Sequence, residues 1–236
     1  MKSLNKYDFV YILKDTEENQ ELLYSLRSIE KNAKHLINRV VFVGGHPKGF
    51  KNIYHINGYQ NFNNKHKNAI MSIYAACKNP YITDEFILMN DDFYIQHPIE
   101  DIGITYDGTM LDRINELLDG SYKLEMIKAY DYIKWCWRGD EPHNFAVHHP
   151  IKLIKKCAES CIRDNEPAHN FRNLYGNLYH DCRTTRPYQL KDNKLRKKDD
   201  GKFDKQAPFL SSDDDTFAQL APYLKELFKD KSQYEI

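Results

Sequence analysis

Three adjacent polar residues, Asn90-Asp91-Asp92, interrupt two apolar runs, Phe86-Ile87-Leu88-Met89 and Phe93-Tyr94-Ile95. The first run reads as a buried strand that delivers two carboxylates to its end. Burying even one ionised carboxylate without partners is costly. Such a strand end therefore points to a bound cation or a reaction. Carboxylate oxygens are the ligands that Mg²⁺ and Mn²⁺ prefer, and these ions commonly hold phosphates. In open α/β sheets, ligands bind outside the carboxyl ends of the strands. The same residues also make a capped turn, since Asn and Asp bond their own backbone. In an extended pair the two side chains point to opposite sides. Only one of them is then placed to bind a metal directly, and Asp92 is favoured.

Other residues of chemical interest are scattered. Arg27 sits beside Leu26, and its guanidinium fork suits a phosphate, or an ion pair with Glu30 three residues on. Lys67 and Asn68 open an apolar-periodic stretch, where backbone N–H groups favour an anion, although Asn68 also suits a helix cap. His148 or His149, before Pro150, offers a general base or a metal ligand. Asp192 and Lys194 are weaker candidates for a diphosphate or acceptor contact. Ser211-Ser212-Asp213-Asp214-Asp215-Thr216-Phe217 reads as a helix N-terminus with acidic residues, or as a lid or second metal contact.

The elements that must position these groups alternate. Residues 8–13, 39–43, 53–56 and 86–89 read as strands. Residues 18–32 and 67–77 read as helices, from apolar spacings such as Leu22, Leu23, Leu26, Ile29 and Ile70, Ile73, Tyr74, Cys77. Gly44-Gly45 marks a tight turn. Strand–helix alternation over the first 95 or so residues implies a mostly parallel sheet flanked by helices. Neither the Gly-x-Gly-x-x-Gly nor the Gly-x-x-x-x-Gly-Lys-Ser/Thr fingerprint is present. The second half is irregular: helical in part over 114–134, an amphipathic helix over 151–163, and a helix over 216–228 that Pro222 should break or restart. The charge-dense run 191–205 is expected to be mobile or ordered by ligand.

The 236 residues fit one domain, with an α/β half over 1–98 and an irregular helical half over 99–236. Lys+Arg and Asp+Glu both number 34, so no global field draws the chain to nucleic acid or membrane. Arg183, Arg186, Tyr179 and Tyr188, with the run that follows, could still form a local basic, aromatic groove. No apolar run reaches the length of a transmembrane helix, and the N-terminus lacks a signal-peptide core. The five cysteines match no zinc framework; Cys157 and Cys161 read as small core residues, and a reduced, cytoplasmic protein is expected.

Four segments together resemble the Stealth proteins: Glu21-Leu-Leu-Tyr-Ser-Leu-Arg27-Ser-Ile-Glu-Lys31, the strand ending at Val43, Lys67-Asn68-Ala69-Ile70, and residues 86–95. His148-His149-Pro150 is similar to a later His-x-Pro element of that family. The opening strand departs from the family's acidic, Trp-containing signature and reads Val10-Tyr11-Ile12-Leu13-Lys14-Asp15. Stealth proteins are sugar-phosphate transferases related to nucleotide-sugar glycosyltransferases of the GT-A type; phage and bacterial relatives have a similar layout. The resemblance implies a GT-A-like α/β fold with an irregular helical C-terminal half. It implies a nucleotide-sugar donor, Mn²⁺ or Mg²⁺ on Asp92, and catalytic roles for Asp91, Asp92 and His148. Arg27, Lys67, Asn68, Asn90, Asp192 and Lys194 would bind the donor. The acceptor would be a glycan hydroxyl or a hydroxylated base of phage-type DNA. Sugar-1-phosphate transfer, a non-catalytic glycan or nucleotide-binding module, and a metal-dependent nuclease or phosphatase are the other readings.

Overall fold

The computed structural model describes residues 5–137, 139–164, 170–179, 186–213 and 215–236. Cys182, Arg183 and Asp214 lie outside the described residues. The centre is a five-stranded sheet built from β1 (Tyr7–Leu13), β2 (Ile37–Gly44), β3 (Ile53–Ile56), β4 (Glu85–Met89) and β7 (Ile151–Ile154), in the order β3-β2-β1-β4-β7. The first four strands are parallel and β7 runs antiparallel to β4. Side chains alternate between the two faces. Phe9, Tyr11, Val40, Phe42, Ile87 and Met89 pack with α1 (Gln20–Asn32) through Leu22, Leu26 and Ile29. Val10, Val41, Val43, Phe86 and Leu88 face the other way, onto Ile73, Ala76 and Cys77 of α2 (Lys65–Lys78) and onto the helices of the second half. Strands buried on both faces explain why these segments read as unbroken apolar runs.

The order decides where a ligand can sit. The chain moves from β1 outward to β2 and β3, then returns to place β4 on the other side of β1. That reversal opens a crevice at the carboxyl ends of β1 and β4. Gly44, at φ 102°, lies where an L side chain is strained, and a Cβ there would run into the Leu13 carbonyl. The end of β2 is thereby drawn close against the end of β1.

Beyond β4 the chain turns at Asn90 into β5 (Phe93–Ile95). This strand pairs antiparallel with β10 (Phe209–Ser212), which pairs with β9 (Lys194–Leu195). A short ribbon joins β6 (Thr105–Tyr106) to β8 (Tyr188–Gln189). The helices of the second half are α3 (Met110–Glu116), α4 (Ser121–Cys136), α5 (Lys155–Asp164), α6 (Phe171–Leu178) and α7 (Phe217–Leu227).

Several expectations are corrected. Residues 151–154 form a strand, and the helix begins at Lys155. Ile151 and Ile154 fit helical spacing, but Ile151 and Leu153 fit a pleat equally, and the open edge of β4 takes them. Pro222 does not break α7. It sits in the middle of the helix, where its missing N–H removes one intrahelical bond, and Leu220 and Leu224 bury the helix on either side. The run 191–205 is ordered through β9 and a 3₁₀ turn, Lys197–Asp199, because its interleaved charges pair: Asp192 with Arg196, and Lys194 with Asp213. Cys157 is disulfide-bonded, which corrects its reading as a reduced core thiol; Cys77, Cys136 and Cys161 carry free thiols. Among the described residues, no helix is long and apolar enough to cross a membrane.

Arg27 does not face a ligand cleft. Its fork binds the Glu235 carboxylate at 2.8 and 2.7 Å, and Nη1 donates to the Phe228 carbonyl at 3.1 Å. The ion pair expected with Glu30 goes instead to a residue 208 positions away. Glu235 is buried, and Ser232 N also donates to it. Truncating Arg27 leaves that charge without its main partner. Arg27→Ala is therefore expected to cost about 3 kcal/mol in urea unfolding, with Arg27→Lys intermediate because it keeps the charge and loses the fork.

Candidate active site

A cleft of about 900 Å³ opens at the carboxyl ends of β1 and β4. Ile12, Leu13 and Lys14 form one wall, and Leu88, Asn90, Asp91 and Asp92 the other. The N-terminal turn of α1, the start of α2 with Asn68, and Tyr122, Glu125, Asn170 and Arg172 complete it. Of the nine residues expected in the site, Asn68, Asn90, Asp91 and Asp92 line this cleft. Lys194 reaches it through Asp92. Arg27, Lys67, His148 and Asp192 are not in its lining.

The acidic pair is held in two different ways. Asn19, the N-cap of α1, accepts from Leu22 N through Oδ1 and donates Nδ2 to Asp91 Oδ2 at 2.6 Å. One amide thus ties the carboxylate to the helix start, where the helix dipole favours negative charge. Asp92 is largely buried, and burial pushes its carboxyl up to about 7. Lys194 opposes that rise, while Asp91 and Glu21 add to it. The Lys194 ammonium stands 4.0 Å from Asp92 Oδ2 and 2.6 Å from Asp213 Oδ1. Asp213 was expected as part of a helix cap. Its backbone carbonyl does accept from the α7 start, while its carboxylate faces Lys194.

Hard carboxylate oxygens on either side of one cationic position suit Mg²⁺ or Mn²⁺ chemically. Among the described residues, no three His, Cys, Asp or Glu side chains gather around a point that could hold a metal. The donor set fits an ion that takes one or two carboxylates here and completes its shell with phosphate oxygens and water.

Arg172, which carries no sequence motif, is the missed residue of the site. On α6, its Nη1 donates to the carbonyls of Val147 (3.0 Å) and His149 (2.7 Å), and its guanidinium lies over the Phe93 ring. Its Nη2 is closed off from solvent and, among the described residues, has no hydrogen-bond partner. The Nδ2 of Asn170, also in the cleft wall, is in the same condition. Burial lowers the Arg172 guanidinium to about 10, against the pull of Asp92 and Asp192. It remains charged at neutral pH. Two buried donors without acceptors among the described residues, in one cleft, are matched by a ligand that brings oxygens.

Lys67 and Asn68 are placed differently from expectation. The cap of α2 is Asn64, which accepts from His66 N and Lys67 N. Lys67 is exposed and lies over the Phe62 ring. Asn68 spends both ends of its amide on the Phe62 backbone, fixing the 59–64 loop against the cleft.

His148 and Asp192, 44 residues apart, form a pair: Nδ1 to Oδ2 is 3.0 Å, and His148 N donates to Oδ1 at 3.1 Å. Arg196 Nη2 donates to the same carboxylate at 2.8 Å. Burial opposes the carboxylate's charge, but the His148 and Arg196 contacts hold Asp192 below the usual carboxylate range. Burial lowers His148, so its ring is neutral near pH 7. Tyr122, in the cleft wall, feels the charges of both Asp192 and Arg196, which puts the pair beside that wall.

His149 is fully buried, contacts Thr105 Oγ1 through Nδ1 at 3.0 Å, and burial lowers it to about 4. Unfolded, it protonates near its ordinary 6.5. Between those values the unfolded chain binds more protons, so stability present above pH 6.5 is lost as pH falls toward 4. Urea midpoints measured across this range should fall in the wild type and fall less in His149→Gln.

No known protein family and no curated protein matches the chain. Among solved structures, it is similar to the galactosyltransferase LgtC in complex with donor and acceptor sugar analogues, at 11% identity, 96% of both chains and a TM-score of 0.46. It is also similar to an active-site mutant of LgtC, at 11% identity, 96% of both chains and a TM-score of 0.48. At these scores the likeness carries no functional weight.

Proposed function

We propose that the chain is a GT-A-like, metal-dependent glycosyltransferase that moves a sugar from a nucleotide-sugar donor to an acceptor hydroxyl. One observation carries this reading. A cleft at the topological switch point of the sheet sets a largely buried carboxylate, Asp92, against Arg172, whose buried Nη2 has no acceptor among the described residues. A donor diphosphate supplies what both sides need: oxygens for Arg172 and Asn170, and a phosphate to share a cation with Asp92. A divalent ion bound there would act as a Lewis acid on the departing diphosphate. Residues 1–98 would carry most of the nucleotide contacts, and the second half would close over the sugar and acceptor.

In the transfer, the bond from the sugar's anomeric carbon to the phosphate oxygen breaks, and a bond to the acceptor oxygen forms. Nucleoside diphosphate leaves. Arg172 and Lys194 face its growing charge. His148, whose Nδ1 bonds Asp192 beside the Tyr122 wall of the cleft, would take the acceptor's proton on Nε2. Asp192→Asn would disturb that bond. It is expected to lower kcat about 10²-fold while the KM for donor stays near wild type, as steady-state kinetics would check.

The released nucleotide tests the reading directly. With UDP-, GDP- and dTDP-sugars, Mn²⁺ and a mixture of glycan acceptors, glycosyl transfer yields the nucleoside diphosphate. Sugar-1-phosphate transfer, the Stealth-type alternative, breaks the bond between the two phosphates and yields the monophosphate. A donor that raises thermal stability without release of either nucleotide would leave only a binding module. No stabilisation and no release with any donor would remove the nucleotide-sugar reading altogether. Glycan hydroxyls are the first acceptors to try. Hydroxylated phage-type DNA bases follow, because exposed Lys191, Lys197, Lys198 and Lys202 lie on the ordered 191–205 segment.

A further inference from the structure

We infer that Lys194 is a built-in cation that a divalent metal must displace from the carboxylates of Asp92 and Asp213. This rests on the transferase reading of the same cleft. The two carboxylates come from distant parts of the sequence and are brought together by one ladder. β5 pairs with β10 so that Phe93 faces Ser211, which sets Asp92, one residue before Phe93, beside the segment running from Ser212 into Asp213. The Lys194 ammonium lies in this gap, in contact with Asp213 and 4.0 Å from Asp92. Among the described residues, its ammonium lies within ion-pair distance of both carboxylates.

The backbone of Lys194 has little freedom to leave. Residues 194 and 195 pair with 211 and 212. The neighbouring Asn193 amide donates to the carbonyls of Asp204 and Phe209, Leu195 is fully buried, and Thr216 donates to its carbonyl. Only the four-carbon stem can swing, and a lysine stem turns readily. A divalent ion brings two charges to a position where the ammonium brings one, so it competes for the same oxygens. The displaced ammonium remains tethered beside the cleft, where the buried Arg172 Nη2 and Asn170 Nδ2 have no acceptor among the described residues. Lys194 would then pass from the carboxylates to the departing diphosphate as metal and donor enter. Metal and substrate binding are coupled by a single side chain.

The test is Mn²⁺ binding without nucleotide, followed by calorimetry or by the electron-spin signal of free Mn²⁺. Lys194→Met, which keeps the stem and removes the charge, is expected to bind Mn²⁺ at least ten times more tightly than the wild type. Adding Asp92→Asn to that variant should abolish the gain. Unchanged or weaker Mn²⁺ binding by Lys194→Met, or a gain that survives Asp92→Asn, would overturn the exchange. If Lys194→Met does not fold, the wild type still decides: its Lys194 ammonium resonance in ¹⁵N spectra should shift on adding Mg²⁺ alone. A resonance unmoved by Mg²⁺ contradicts displacement. Nucleotide release by the wild type is measured separately, so loss of the exchange and loss of the transferase reading are told apart.

Discussion

Asp92→Asn is expected to lower nucleotide-sugar turnover by about 10³-fold or more, the order found when a principal charge-stabilising group is removed from a transition state. The fold should not suffer. Burial already penalises the ionised carboxylate and pushes it up to about 7. A group raised in the folded state contributes stability that is full below its unfolded value near 3.8 and is lost as pH rises through about 7. In metal-free buffer the neutral amide escapes that loss. The stability of Asp92→Asn relative to wild type should therefore increase between pH 5 and pH 8, as read by urea unfolding. An inactive variant that is at least as stable as its parent separates a chemical role from a structural one. If Asp92→Asn keeps near-normal turnover, Asp92 is a turn residue and the cleft's chemistry lies elsewhere.

Arg172→Met should have the second large effect, lowering kcat/KM for donor by about 10²- to 10³-fold. The reason is geometric. Nη1 holds the Val147 and His149 carbonyls, so the guanidinium is locked before any ligand arrives, and Nη2 has no acceptor among the described residues. A locked, buried donor loses no conformational freedom when a phosphate reaches it. Arg172→Lys keeps charge but cannot serve the carbonyls and a phosphate together, so it is expected to recover little. Thermal shifts with donor should show the same ranking. Truncation also releases two carbonyls next to His148, so part of the loss will appear as a changed pH dependence of kcat. Equal donor affinity in the wild type and Arg172→Met would remove the phosphate role.

These two residues differ in how far the sequence reveals them. Asp92 follows an apolar strand directly, and the contrast between Met89 and the acidic pair is visible within five residues. Arg172 lies in an aromatic, polar segment without motif or charge contrast. Its importance comes from what α6 packs against. Arg27 shows the opposite failure: a guanidinium beside apolar Leu26 resembled a ligand group, but its partner is Glu235, far along the chain. His148 was singled out by its neighbours His149 and Pro150, whereas its pairing with Asp192 depends on chain reversal through β7, α5 and α6.

The sequence by itself determined the parallel strands, the two helices between them, and the acidic turn at the end of β4. All of these are written in local apolar periodicity, which reports how each short segment buries itself. Tertiary structure decided that residues 151–154 become a strand, because only the open edge of β4 favours a pleat over a helical turn there. It decided that the charged run 191–205 is ordered, since its charges find opposite partners only after β9 joins β10. It also decided the content of the cleft. Asp92, Arg172, Lys194 and Asp213 meet because strand pairing and helix packing close long loops, and periodicity along the chain carries no trace of which distant charges will be brought together.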